Sequence, residues 1–168
     1  MMRNITMIGM PSSGKSMIGV LLAKRLGMSF LDLDILIQER SGRLLRELIA
    51  ERGQEGFLKL EGDTACTLHP ENTIIAPGGS ICYEDWAMAH LRSISRVIYL
   101  DISYEELEKR VGDLKSRGVV LPEGYTLRDL YEERRKLYER YADLRIPEEG
   151  LSADQVVEQL YDIVKRKR

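Results

Sequence analysis

The eight residues GMPSSGKS, at 9–16, restrict what this chain can fold into more than any other stretch. They satisfy Gly-x4-Gly-Lys-Ser/Thr and stand between a short apolar strand pattern, NITMIG at 4–9, and a helical one, MIGVLLAKRLG at 17–27. In the helical stretch Ile18, Leu21, Leu22 and Leu26 recur at helical spacing and Gly27 stops it. A strand, a glycine-rich turn and a helix in that order aim backbone N–H groups and the positive end of the helix at an anion. Ser12, Ser13, Gly14, Lys15, Ser16 and Met17 are therefore expected to hold ATP. Lys15 would reach the β- and γ-phosphates as a catalytic group, and the Ser16 hydroxyl would ligate Mg²⁺.

The rest of the chain alternates in the same way. SFLDLD at 29–34 reads as a second strand, followed by helical patterns to about 68; NTIIAPGG at 72–79 is a third strand ending in a turn, and SRVIYLD at 95–101 a fourth. Ser103 and Glu106 form a capping box that opens a helix to about 116. The stretch 117–125 contains Gly118, Pro122 and Gly124 without helical period and reads as a mobile loop, and a helix is expected from about 126 to 141. LRIP is a last short strand, and SADQ caps a final helix built on Val156, Val157, Leu160, Ile163 and Val164. Strands alternating with helices argue an α/β chain whose parallel sheet is covered on both faces, in one domain over residues 1–168.

Composition matters chiefly for what it excludes. A net charge of −2 and 31% charged residues give no global reason to expect a nucleic-acid or membrane partner. The basic run KRKR at the C-terminus suits a solvated helix end. Cys66 and Cys82 are too few for a disulfide framework, and His69 and His90 stand alone. The N-terminus does not read as a signal peptide, and no apolar run approaches the roughly 20 residues of a membrane span. A soluble, cytoplasmic monomer is expected.

Which residues would receive a phosphoryl group is read from other stretches. Asp32 and Asp34 fall on one face by the two-residue strand period, at a strand end that opens toward the phosphate loop. One could hold the Mg²⁺ water shell while the other orients or deprotonates an attacking hydroxyl; a plain helix cap is the alternative. Gly78 and Gly79, followed by Ser80, permit close backbone approach to a ligand or simply make a turn. Arg134 falls at the centre of an apolar stripe of Leu127, Leu130, Tyr131, Leu137, Tyr138 and Tyr141, with Arg135 at its edge. An inward arginine needs an anion, which is either a ligand or a carboxylate such as Glu61. Glu61 itself lies on the stripe of Phe57, Leu60 and Leu68. Arg117, in the loop, suits a lid that brings positive charge to the transferring group.

The ordered set GMPSSGKS, FLDLD, ERSGRLLRELIAERGQEGFLKLE, PGGS, the Arg110 helix, the Arg117 loop and ERRKLYERYAD resembles the shikimate kinase family over nearly the whole chain. That resemblance implies a three-layer α/β/α P-loop kinase fold with a five-stranded parallel sheet, a helical substrate-binding region at about 33–61 and a lid at about 112–125. It implies transfer of the ATP γ-phosphate to a hydroxyl of shikimate, with Mg²⁺. By position, Asp32 supports the metal beside Ser16, and Asp34 binds the acceptor hydroxyl as base. Arg110 packs on adenine, Arg117 is the lid arginine and Arg134 grips the substrate carboxylate. Two positions depart from the family pattern. Leu58 stands where the family has an arginine in Phe-Arg-x-x-Glu, and Ser80 stands in place of a third glycine. Lys59 is adjacent, but one step along a helix turns it about 100° away. The same scaffold could therefore serve another small hydroxy or amino acid or a polyol, and a catalytically silent nucleotide-binding protein is the remaining alternative.

Overall fold

The computed structural model describes residues 4–112, 121 and 123–166. Five strands, β1 (Asn4–Ile8), β2 (Ser29–Asp32), β3 (Thr73–Ala76), β4 (Ser95–Asp101) and β5 (Leu144–Pro147), form one sheet in the order β2-β3-β1-β4-β5. Every pairing is parallel. Helices α1 (Lys15–Leu26) and α7 (Ala153–Arg166) cover one face. The other carries α2 (Leu33–Ser41), α3 (Leu45–Cys66), α4 (Asp85–Ile94), α5 (Tyr104–Val111) and α6 (Leu127–Tyr141).

Side-chain alternation along β4 feeds both layers. Ile98 and Leu100 point to the α1/α7 layer, whereas Val97 and Tyr99 point to the opposite one. All four are fully buried, as parallel strands covered on both faces require. Val156, Val157 and Leu160 are the buried stripe of α7, as its spacing predicts. The Ser152 amide donates to the Gln155 side chain (2.8 Å), and Ser152 Oγ accepts from the Gln155 amide.

Three expectations change. The second strand stops at Asp32, because the Asp32 carboxylate accepts from the amides of Asp34 (2.9 Å) and Ile35 (3.2 Å) and so caps α2. Asp34 is thus the second residue of a helix, and the two-residue strand period does not relate it to Asp32. The glycine-rich end of β3 becomes a 3₁₀ turn, Gly79–Tyr83, rather than a simple turn. His69 and His90 are not separate either, since their rings meet edge-on at 5.3 Å. The mobile loop and lid, with Arg117, lie largely outside the described residues. Among these residues no helix is long and apolar enough to cross a membrane.

Candidate active site

The carboxyl ends of β1, β2 and β3 open onto one cleft of about 1120 Å³. Its floor is the turn from β1 to α1. Gly9 there has φ +152°, and a Cβ on it would lie 2.7 Å from the Leu100 carbonyl oxygen. Only glycine fits so close to β4. Lys15 is folded back over this turn, donating to the carbonyls of Gly9 (2.9 Å) and Met10 (2.8 Å). Burial lowers its pKa to about 8, against the opposing pull of Asp34.

Ser12, Gly14, Lys15, Ser16 and Met17 line the cleft, as the loop motif predicts. Ser13 does not: it is fully buried behind the loop, its amide donates to Met10 (3.1 Å), and its hydroxyl has no partner. Arg110 reaches over from α5, held by Glu106 (2.9 Å), and donates to the Ser12 carbonyl at 3.4 Å. The Ser16 hydroxyl donates to Asp32 Oδ2 at 2.8 Å. Asp32 therefore caps α2, the alternative reading of this acid, and also meets Ser16. Hydroxyl and carboxylate oxygens are the hard donors that Mg²⁺ takes, alongside water and phosphate. No cluster of three or more metal-binding side chains occurs among the described residues, and such a site does not need one.

Asp34 faces the same space from the first turn of α2. Burial, and then the charge of Asp32, raise its pKa to about 6, with Lys15 opposing. Across from it, α3 is broken at Gly53, whose φ of 70° and ψ of 177° are not helical. The segment after the break turns Phe57, Leu58 and Glu61 into the cleft. Lys59 is exposed and points elsewhere, as the helical rotation predicts. Glu61 is fully buried, its Oε2 accepting from the Ser80 hydroxyl at 2.6 Å. Burial raises its pKa to about 7, with Ser80 opposing. Its Oε1 has no hydrogen-bond partner.

Arg134 is 8% exposed on α6, with its guanidinium 5.3 Å from the Tyr83 ring centroid and its Nε unpartnered. It shares the cleft with Glu61, yet no ion pair joins them. The expected facing pair is therefore two charges in one cavity rather than a salt bridge. Gly78 and Gly79 were expected to approach a ligand or make a turn; here they stand close against side chains of the cleft. A Cβ on Gly78 would lie 2.5 Å from Glu61 Oε1, and one on Gly79 would lie 3.0 Å from Arg134 Nη1.

Sequence reasoning missed several groups. Tyr138 donates to the Gly79 carbonyl at 2.6 Å and so fixes the turn; its place in the α6 stripe was the available signal. Tyr83 and Arg46 also line the cleft, Arg46 at its exposed rim. Glu148, just past β5, is 5% exposed with an unpartnered Oε2. Its position at a strand's carboxyl end could have marked it.

Comparison with known proteins shows the family and the fold. The family model for shikimate kinase matches residues 11–165. A shikimate kinase of Persephonella marina is 32% identical over 160 residues, covering 95% of this chain and 97% of that protein. Threonine synthase-like 1 of Mus musculus is 32% identical over 167 residues, and the chain spans 22% of its length. The crystal structure of shikimate kinase from Aquifex aeolicus superposes with a TM-score of 0.84 at 30% identity, covering 98% and 97% of the two chains.

Proposed function

The chain belongs to the shikimate kinase family, and from that premise we propose that its cleft transfers the γ-phosphate of ATP to a hydroxyl of shikimate. The observation that carries this reading is the position of Asp34. It stands in one cavity with the phosphate loop and with Arg134, a buried cation suited to a carboxylate.

The mechanism follows from these residues. Lys15, the loop amides and the start of α1 neutralise the phosphates and stabilise charge on the transferring group. Ser16 and Asp32 would hold Mg²⁺, which would supply electrostatic stabilisation to the transferring phosphate. Arg134 fixes the acceptor by its carboxylate, which turns the hydroxyl toward Asp34. Asp34 accepts the hydroxyl proton as the oxygen attacks phosphorus. Arg110, which donates to the Ser12 carbonyl, is proposed to stack on the nucleotide base, and Arg117 to bring further charge to the transferring phosphoryl group.

Leu58 favours a second reading within the same chemistry. It presents an apolar side chain to the acceptor half, so another small alcohol could sit there. ADP release with Mg·ATP and shikimate tests the first reading. Shikimate-dependent turnover at micromolar to low-millimolar concentration is expected, and turnover of other alcohols alone would contradict it.

A further inference from the structure

The acceptor half of the cleft has a charge arrangement that a simple carboxylate-bearing alcohol leaves partly unmatched. Asp34, Glu61, Glu84 and Glu133 line it against Arg46 and Arg134. Two of these six are more than nine-tenths buried and carry an unpartnered atom: Oε1 of Glu61 and Nε of Arg134. They flank consecutive residues of one turn, Glu61 Oε1 at Gly78 and Arg134 Nη1 at Gly79. An anionic and a cationic head thus stand at adjacent residues of one turn, beyond ion-pair distance from each other, which leaves room for a ligand that carries both charges. Asp34 Oδ1 approaches the same Gly78 position, 3.3 Å from where its Cβ would be. Two carboxylate oxygens thus converge at Gly78, next to the residue that Arg134 approaches, and the uncharged Leu58 lines the same cleft from α3.

Resting on the kinase reading of the site, we infer that this cleft also phosphorylates small hydroxy amino acids, with the α-carboxylate on Arg134, the α-ammonium on Glu61 and the hydroxyl at Asp34. A buried carboxylate with one free oxygen is matched by a charged donor better than by an apolar or neutral group. The single Ser80 donor on Oε2 leaves Oε1 for that ammonium. In the reaction the side-chain O–H proton passes to the Asp34 carboxylate, a bond forms from that oxygen to the γ-phosphorus, and the bond from the γ-phosphorus to the β-bridging oxygen breaks. ADP leaves, and the product is an O-phospho amino acid.

The test measures ADP release by the wild-type protein with Mg·ATP and each of L-serine, L-homoserine, 3-hydroxypropanoate, 4-hydroxybutanoate and shikimate. At least one amino acid is expected to be turned over with kcat/KM at least tenfold above its counterpart lacking the amino group. Equal or better use of the deaminated acids, or turnover of shikimate with no response to either amino acid, overturns the inference and leaves the kinase reading standing. Amino-acid turnover without shikimate turnover upholds the inference and removes shikimate as acceptor. No response to any alcohol overturns both. Leu58→Arg sharpens the result: a guanidinium beside Glu61 should lower amino-acid kcat/KM at least fivefold while raising that for shikimate. An equal gain for both would contradict the ammonium's place.

Discussion

The two halves of the cleft satisfy their polar groups differently. On the phosphate-loop side, Lys15 is held by two carbonyls, Ser16 by Asp32, and Asp32 by two amides of α2. On the acceptor side, Glu61 and Arg134 are more deeply buried than Ser16 and Asp32, yet each carries an unpartnered atom. The first half is therefore set by the chain's own backbone, and the second by what it meets. A loop whose partners are internal can serve one donor in any enzyme of this kind. A pocket with exposed electrostatic demand selects its acceptor, and small substitutions there change the substrate rather than the reaction.

Breaking the loop side should have the largest effect. Lys15→Ala is expected to lower kcat/KM about 1000-fold for every acceptor, equivalent to about 4 kcal/mol. Stopped assays of ADP release check it, and an acceptor-dependent loss would blur the division. Next comes the buried acid. The Glu61 pKa is raised in the folded protein from 4.5 to about 7, so the native state binds the proton more tightly than the unfolded chain does. Its contribution is fully present below the unfolded value and is lost as pH rises through about 7. Glu61→Gln should therefore gain stability relative to wild type on going from pH 5 to pH 8, by roughly 2–3 kcal/mol. Urea unfolding at both pH values measures it, and a pH-independent difference would show that Glu61 is paired after all.

A smaller effect is expected from Leu58→Arg, which should lower the KM for shikimate about tenfold, or about 1.4 kcal/mol. No change in shikimate kinetics would remove Leu58 from the acceptor contacts. The smallest should come from Ser80→Gly. It deletes one hydrogen bond to Glu61 and should change acceptor KM by less than about tenfold, near 1 kcal/mol, with ATP kinetics unchanged.

What the sequence revealed divides along the same line. The phosphate loop and the parallel sheet were legible because glycine geometry and hydrophobic period are local properties. Asp34 was found for an incorrect reason: the Asp32 cap competes with the strand, and a cap two residues earlier turns a strand residue into a helical one. Glu61 and Arg134 were legible from charged residues on apolar stripes, but their failure to pair was not. That depends on where the break at Gly53 and the turn held by Tyr138 place them. Tyr83 and Arg46 carried no local pattern and were reached only through the fold, whereas Glu148 was signalled only by its place just past a strand.

Arg134→Ala tests the division most directly, with Mg·ATP affinity measured by calorimetry beside acceptor kcat/KM and the thermal midpoint. Acceptor kcat/KM is expected to fall about 100-fold or more, with ATP affinity within about threefold of wild type. A parallel loss of ATP binding in a variant that stays folded would contradict the account, because Arg134 would then be supporting the loop rather than gripping the acceptor.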